Sequence, residues 1–200
     1  YLGQKKGEQK PAGITSGEAS RTLITGTDSG LGKYLSKNLN ALCLNRSNRP
    51  EIIEKIAQSG AETIIHCAFN ARRNLSFQDL SRYYEDNLHF TETLAALPHS
   101  YFIYISTIDI YPQKSGRIYS EEDKIDIEDI RSIYGRCKLI AESIVAEKSP
   151  RFLILRCAAF LGQDARKANL RILIEDEHPV LSLSGSSEFN CILHSDVLNF

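Results

Sequence analysis

Residues 21–35 read RTLITGTDSGLGKYL. The apolar run RTLIT reads as a strand. It is followed by Gly26, a short polar turn through Asp28 and Ser29, and then Gly30, Leu31 and Gly32 at the opening of a helical stretch that runs to about Leu39. Glycine between a strand and its helix lets backbone approach a pyrophosphate closely, and the helix N-terminus adds free N–H donors and a partial positive charge. The turn predicts a nucleotide cradle, with Gly26, Asp28, Ser29, Gly30, Leu31 and Gly32 as cofactor-binding residues. A bare connection closed by a packing glycine is the other reading of the same residues.

Outward from this unit the same alternation continues. ALCLN at 41–45 predicts a strand, 51–58 a helix, ETIIHCA at 62–68 a strand, and 76–97 a long helix. YFIYIS at 101–106 is the next strand; a loop rich in Gly, Ser, Pro and acid covers 111–128; a helix runs over roughly 130–147 and a strand over 152–157. Strands apolar on both faces that alternate with helices predict an α/β fold, a doubly wound parallel sheet covered on both sides. Ligands of such sheets bind beyond the carboxyl ends of the strands. Residues 1–20 carry little to bury and predict a mobile tail or an expression remnant.

Composition sets the outer limits. The 200 residues are 42% hydrophobic, and 24 Lys+Arg against 25 Asp+Glu leave a net charge of −1, so no global basic field gathers nucleic acid or an anionic membrane. No apolar run approaches the roughly 18 residues that span a bilayer, and the first twenty residues lack a signal peptide's apolar region. Five cysteines without C-x-x-C spacing predict reduced thiols and, with the rest, a cytoplasmic protein. A first residue Tyr1 and the absence of methionine predict either trimmed ends or absent residues. No His/Cys/acid set has metal-ligand spacing, EDEHP at 175–179 reads as a solvated acidic turn, and no G-x-S-x-G elbow supports hydrolysis, so no metal is expected.

At the end of the second strand of the unit the chain reads Leu44, Asn45, Arg46. NAD binders present an acid there to the ribose hydroxyls, whereas an Arg without the acid suits the 2′-phosphate of NADP. Asn45 and Arg46 are therefore expected at the cofactor, with NADP preferred over NAD; an ordinary surface arginine is the alternative.

Tyr134 and Lys138 lie four apart on a helix in SIYGRCKLIAE and share one face. The spacing alone is cheap, since Tyr1 and Lys5 match it within the polar tail. The context separates them: a strand ending in Ser106 and Thr107 leads through the acidic loop to the helix of Tyr134. Phenolate chemistry near neutrality requires the tyrosinate to be stabilised by about 4 kcal/mol. A neighbouring ammonium in a partly dry cleft supplies an interaction of that size. Tyr134 is expected to exchange a proton with a substrate oxygen that Thr107 also contacts, while hydride passes to or from a nicotinamide. Strand-end capping for Thr107 and a solvated helix face for Lys138 are the plainer readings.

T-G-x-x-x-G-x-G at the first turn resembles the short-chain dehydrogenase/reductase superfamily. Further ordered segments extend the likeness from residue 21 to 200: IIHCAF, DNLHFTETL, YISTIDIYP, YGRCKLIAE, ILRCAAFLG and ILHSDV. Together they resemble the NAD(P)-dependent sugar epimerase/dehydratase family. The resemblance implies a Rossmann-like NAD(P)-binding domain over 21–160 and the incomplete start of a smaller C-terminal substrate lobe over 161–200. It places Cys67, Ala68 and Asn87, with Tyr134 and Lys138, at the cofactor, and Tyr111 on the substrate side. Asp196 falls in the family's acid position, and Arg72 and Arg73, after the fourth strand, contact either a phosphate or nothing at all. It further implies a nucleotide-sugar substrate and a homodimer through the helices near 76–97 and 130–147. Two departures matter: Gly26 to Asn45 is a few residues shorter than the family shows, and Ile108 then Asp109 follow Thr107 where dehydratases carry two acids. Epimerisation or reduction of a keto-sugar is therefore expected, with a non-catalytic cofactor-binding sensor or scaffold as the alternative.

Overall fold

The structure, a computed structural model, describes residues 2–4, 21–72, 74–113, 117–166, 169–180, 184 and 188–200. Its centre is a six-stranded sheet. In chain order the strands are β1 (Leu2–Gln4), β2 (Thr22–Thr25), β3 (Leu42–Leu44), β4 (Ala61–His66), β5 (His99–Thr107) and β6 (Arg151–Cys157), and across the sheet they run β1-β6-β5-β4-β2-β3. The five strands β2 to β6 pair in parallel, with Ile24 opposite Cys43 and Ile65, and Thr107 opposite Cys157. Among them the order β3-β2-β4-β5-β6 is one of the two common doubly wound arrangements. The chain reverses direction of propagation between β2 and β4, so the crevice beyond their carboxyl ends is where a ligand belongs.

Leu23, Ile24 and Thr25 are wholly buried because helices cover both faces of β2. Alternate strand residues divide between two cores. On one face Leu23, Ile64, Phe102 and Ile154 pack with Ile56 of α2 (Arg49–Ser59), Leu94 of α4 (Phe90–Ala96) and Ala141 of α5 (Ile133–Lys148). On the other, Ile24, Ile65 and Ile105 pack with Leu31 and Leu35 of α1 (Gly30–Asn38), and Val197 and Leu198 of α7 (His194–Asn199) lie against them. A small parallel pair, β7 (Ala159–Leu161) with β8 (Cys191–Leu193), connects the end of the main sheet to α7. The helix α6 covers Asn169–Glu175.

Two local departures from the sequence expectation have physical causes. For Leu2–Gln4 the mobile tail gives way to an antiparallel edge strand on β6, whose unpaired N–H and C=O groups template it; residues 5–20 lie outside the described residues. The expected long helix is composite: a 3₁₀ turn at Phe77–Asp79, α3 (Leu80–Tyr84), one π-helical turn at Glu85–His89, then α4. Asp79 starts it by accepting both the N–H and the hydroxyl of Ser76. The π turn carries Asp86 and Asn87, whose side chains the site uses. No helix among the described residues is long and apolar enough to cross a membrane.

Candidate functional site

The glycine turn is built by close approach. Gly26, at φ +73°, brings its backbone so near Ala68 that a Cβ would lie 2.8 Å from the Ala68 nitrogen. Gly32 sits 2.4 Å, measured from where its Cβ would be, from the Gly26 carbonyl oxygen, so α1 can start only if residue 32 has no side chain. Gly30, at φ +62°, differs: nothing lies within 4 Å of its Cβ position, so space is open over the start of α1. Asp28 and Ser29 are exposed beside that space, and Leu31 is buried in the core behind it. The Gly30 N–H donates to the Asp164 carbonyl (2.9 Å). By helix geometry the amides of Leu31 and Gly32 still have no acceptor within α1. An open glycine turn, a helix start and the switch-point crevice together fit a dinucleotide pyrophosphate.

Below the crevice a chain of hydrogen bonds ties β2, β4 and the π turn together. The Ala68 N–H donates to Thr25 Oγ1 (3.0 Å), Thr25 and His66 Nδ1 are 2.7 Å apart, and His66 Nε2 lies 3.0 Å from Thr91 Oγ1. Thr91 gives its hydroxyl proton to the Asn87 carbonyl (2.6 Å), so it accepts from His66 Nε2–H, and Nδ1 accepts from Thr25. Burial drives the His66 pKa down to about 3, aided by the positive charges of Lys138 and Arg49, so the imidazole is neutral. Asn87 then pins the loop after β4: its Oδ1 accepts the Asn70 N–H (2.7 Å) and its Nδ2 donates to the Asn70 carbonyl (3.2 Å). Asn87 thus shapes the loop on which Cys67 and Ala68 stand.

The end of β3 is arranged differently from expectation. Asn45 spends its side chain on a local turn, accepting from the Ser47 and Asn48 amides. Arg46, 68% exposed, pairs with Asp86 (3.2 Å), which also accepts from Asn70 Nδ2 (3.1 Å). A carboxylate from the π turn thus stands beside the arginine at the end of β3.

On the other side of the crevice, Thr107 ends β5 buried, its Oγ1 accepting the Asp109 N–H (3.2 Å) at the start of a 3₁₀ turn, Ile108–Ile110. The Asp109 carbonyl lies against Gly135, where a Cβ would approach to 2.5 Å, which seats the first turn of α5 on the residues following Thr107. Tyr134 stands half-buried on that turn, its ring edge-on to Phe69 at 5.2 Å between centroids. One turn on, Lys138 is buried, with Nζ donating to the Ile105 carbonyl (2.6 Å) and lying 4.0 and 4.7 Å from the ring centroids of Phe69 and Tyr104. Burial lowers its pKa to about 7. Burial also pushes the thiols of Cys67 and Cys157 up, to about 12 and about 11, despite the nearby Lys138 charge.

Another turn along α5, Glu142 meets Arg156 of β6. The guanidinium donates from Nη2 (2.8 Å) and Nε (3.2 Å) to Glu142 Oε2, and the Ser106 hydroxyl donates to Glu142 Oε1. Arg156 Nη1 also donates to the Tyr111 hydroxyl (3.0 Å) and the Glu121 carbonyl (3.3 Å), while Tyr111 donates to the Ser120 carbonyl (3.3 Å) and stacks on Tyr119. Tyr111, expected at a substrate, is thereby part of a scaffold that fixes the loop at 117–123. Arg72 pairs with Asp79 (2.7 Å); Arg73 lies outside the described residues. Asp196 accepts the Leu193 N–H (2.9 Å) and starts α7. Among the described residues no three His, Cys, Asp or Glu are grouped to hold a metal ion.

Sequence reasoning missed Thr25, His66, Thr91, Phe69, Asp86, Glu142 and Arg156. Arg156 carried a usable signal, a charge within the apolar strand that begins at the exposed Arg151, and a charge inside such a strand requires a buried partner.

The profile of the NAD dependent epimerase/dehydratase family matches residues 20–176. Among curated proteins, none matches. Solved structures share the fold. A dTDP-4-dehydrorhamnose reductase from Clostridium acetobutylicum is 22% identical, with TM-score 0.63 over 76% of this chain and 58% of that one. A second such reductase, from Bacillus anthracis and in complex with NADP, is 20% identical, with TM-score 0.66 over 78% and 59%. A UDP-glucuronic acid 4-epimerase from Bacillus cereus, in complex with UDP-glucuronic acid and NAD, is 20% identical, with TM-score 0.70 over 88% and 70%. The chain spans under two thirds of the length of these reductases.

Proposed function

Because the chain belongs to the NAD-dependent epimerase/dehydratase family, we propose that it binds NADP or NAD along the crevice between β2 and β4 and acts on a nucleotide sugar, as an epimerase or a keto-sugar reductase, with Tyr134 as acid/base. The observation that carries the reading is the seating of Lys138. A buried ammonium held on the Ile105 carbonyl, one turn from Tyr134 and two residues from Thr107, is costly to desolvate and useful where an oxyanion has to be stabilised.

The bound dinucleotide supplies the hydride acceptor or donor. Gly26, Gly30 and the amides of Leu31 and Gly32 hold its pyrophosphate, with Asp28 and Ser29 at the rim. Cys67 and Ala68 line the loop that Asn87 fixes. Tyr134 gives or takes the proton of the reacting sugar hydroxyl or carbonyl, Thr107 hydrogen-bonds the same oxygen, and the Lys138 charge favours the tyrosinate. Ile108 and Asp109 after Thr107 disfavour dehydration. Arg46, with Asp86 beside it, takes the adenosine-ribose end: the guanidinium suits a 2′-phosphate and the carboxylate a free ribose hydroxyl. Tyr111 and Arg72 are assigned to the substrate side, with the substrate lobe beginning at residue 161. Pairing through the helices near 76–97 and 130–147 belongs to the same proposal.

The test is a titration with NADPH and NADH by nicotinamide fluorescence, followed by turnover on a panel of nucleotide sugars and 4-keto nucleotide sugars. Tyr134→Phe should abolish turnover and leave dinucleotide affinity nearly unchanged. Turnover that survives the substitution refutes the assignment of Tyr134. Binding without turnover on any sugar nucleotide supports the cofactor-binding scaffold instead. Arg46→Ala should weaken NADPH more than NADH, and equal losses remove Arg46 from the 2′-phosphate role.

A further inference from the structure

One donor that a pyrophosphate would use is already taken. The Gly30 N–H, first of α1, donates to the backbone carbonyl of Asp164 (2.9 Å). The carboxylate of the same residue is fastened to α1 farther along: Lys37 Nζ donates to its two oxygens at 2.8 and 3.0 Å, and Lys33 lies at 3.6 Å. The Asp164 side chain is 9% exposed, whereas Lys33 and Lys37 are 44% and 51% exposed, so the acid is the inward member of the group. Asp164 rides on a tight turn, in which the Ala165 N–H donates to the Gly162 carbonyl (3.0 Å). Gly162, at φ +147°, leaves only 2.8 Å between its Cβ position and His194 Nδ1, the first residue of α7. The segment at 162–165 is therefore a strap between α7 and the start of α1.

A carbonyl oxygen and a phosphate oxygen are both acceptors and compete for one N–H, and the carboxylate adds a negative charge close to where the pyrophosphate would place two more. We propose that the strap at 162–165 competes with the dinucleotide pyrophosphate for the start of α1, and that Asp164, through its lysine anchors, sets cofactor affinity. This rests on the reading of the glycine turn as a dinucleotide site. Cofactor binding releases the strap from Gly30 and, through Gly162, loosens its hold on α7.

The experiment is NADPH and NADH titration by nicotinamide fluorescence for the 200-residue chain and two variants. Asp164→Ala removes the anchored carboxylate, and Lys37→Met removes its nearest anchor. The strap predicts that both variants bind the dinucleotide more tightly, by roughly 3- to 10-fold, the worth of one or two partly exposed ion pairs. Simple charge predicts opposite signs, because Asp164→Ala removes a repulsion and Lys37→Met an attraction. Weaker binding by Lys37→Met overturns the proposal even if Asp164→Ala binds more tightly. Amide hydrogen exchange gives a second readout: saturating dinucleotide should speed exchange in the peptide carrying 162–165, and slower exchange there overturns the strap. If neither the wild-type chain nor a variant binds either dinucleotide, the reading of the glycine turn fails, and the strap's competitor with it. Wild-type binding with unchanged affinities in both variants overturns the strap alone.

Discussion

Replacing Glu142 by Leu should destabilise the protein far more than replacing Glu142 and Arg156 together. Glu142 is 5% exposed in its side chain and Arg156 14%, and the pair is joined by Nη2–Oε2 at 2.8 Å and Nε–Oε2 at 3.2 Å. Losing the carboxylate leaves a largely buried guanidinium without a counter-ion and takes the acceptor from the Ser106 hydroxyl. Such a loss costs about 3–5 kcal/mol, because an unpaired buried charge keeps its desolvation penalty and forfeits the attraction that offset it. For a chain of this size that lowers the melting temperature by roughly 10 °C. The double variant Glu142→Leu/Arg156→Met removes both charges together and should recover about half of the loss or more. It will not recover all of it, since Arg156 also donates to Tyr111 and to the Glu121 carbonyl. Urea unfolding followed by far-ultraviolet circular dichroism measures all three proteins. A loss below about 1 kcal/mol for Glu142→Leu, or a double variant no more stable than the single one, refutes a desolvated pair at this position.

Gly32→Ala should destabilise by at least about 2 kcal/mol even though alanine is the better helix former, because its Cβ would lie 2.4 and 2.7 Å from two backbone carbonyl oxygens; unfolding midpoints check this. Lys138, depressed from 10.5 to about 7 in the fold, binds its proton less readily than in the unfolded chain. Wild-type stability measured against Lys138→Met should therefore rise with pH between about 7 and 10.5, by on the order of 1 kcal/mol per pH unit, and be flat below. A flat difference across that window would show the ammonium to be solvated. His66, depressed from 6.5 to about 3, works in the acid range: the unfolded chain takes up a proton that the fold refuses. Stability should fall as pH drops from about 6.5 toward 3, and His66→Gln should flatten that limb in pH-dependent urea titrations.

What the sequence disclosed about this site follows the range of the interactions involved. The turn from Gly26 to Gly32 was legible because its constraint is local: strand, turn and helix lie within fifteen residues, Gly26 and Gly32 are required by close approach, and Gly30 by its positive φ. That Tyr134 and Lys138 share one helix, four residues apart, was legible for the same reason. Arg46 and Arg72 were legible as charges but not as partners. Arg46 reaches Asp86, forty residues on, on a π turn that apolar spacing in 76–97 does not encode. The neutral state of His66 depends on Thr25 and Thr91, from two other elements, and on their positions around a parallel register that no single segment specifies. Leu2–Gln4 carries no strand signal at all; the edge of β6 makes it a strand.

The helix face that carries Tyr134 also explains why the scaffold around it is polar and buried. Tyr134, Lys138 and Glu142 are spaced i, i+4, i+8 on α5, and the end of β5 holds that face from the other side: the Ile105 carbonyl takes Lys138, Ser106 takes Glu142, and the residues just beyond Thr107 take the first turn at Gly135. An apolar contact between helix and strand would tolerate a slide of an ångström along the helix axis, because dispersion is not directional. Hydrogen bonds to a carbonyl and a carboxylate at successive turns do not tolerate it. The desolvation that Lys138, Glu142 and Arg156 suffer is thus the cost of holding α5 at one height against β5. In the function proposed for the chain, that height sets whether the Tyr134 hydroxyl and the Thr107 hydroxyl meet the same substrate atom.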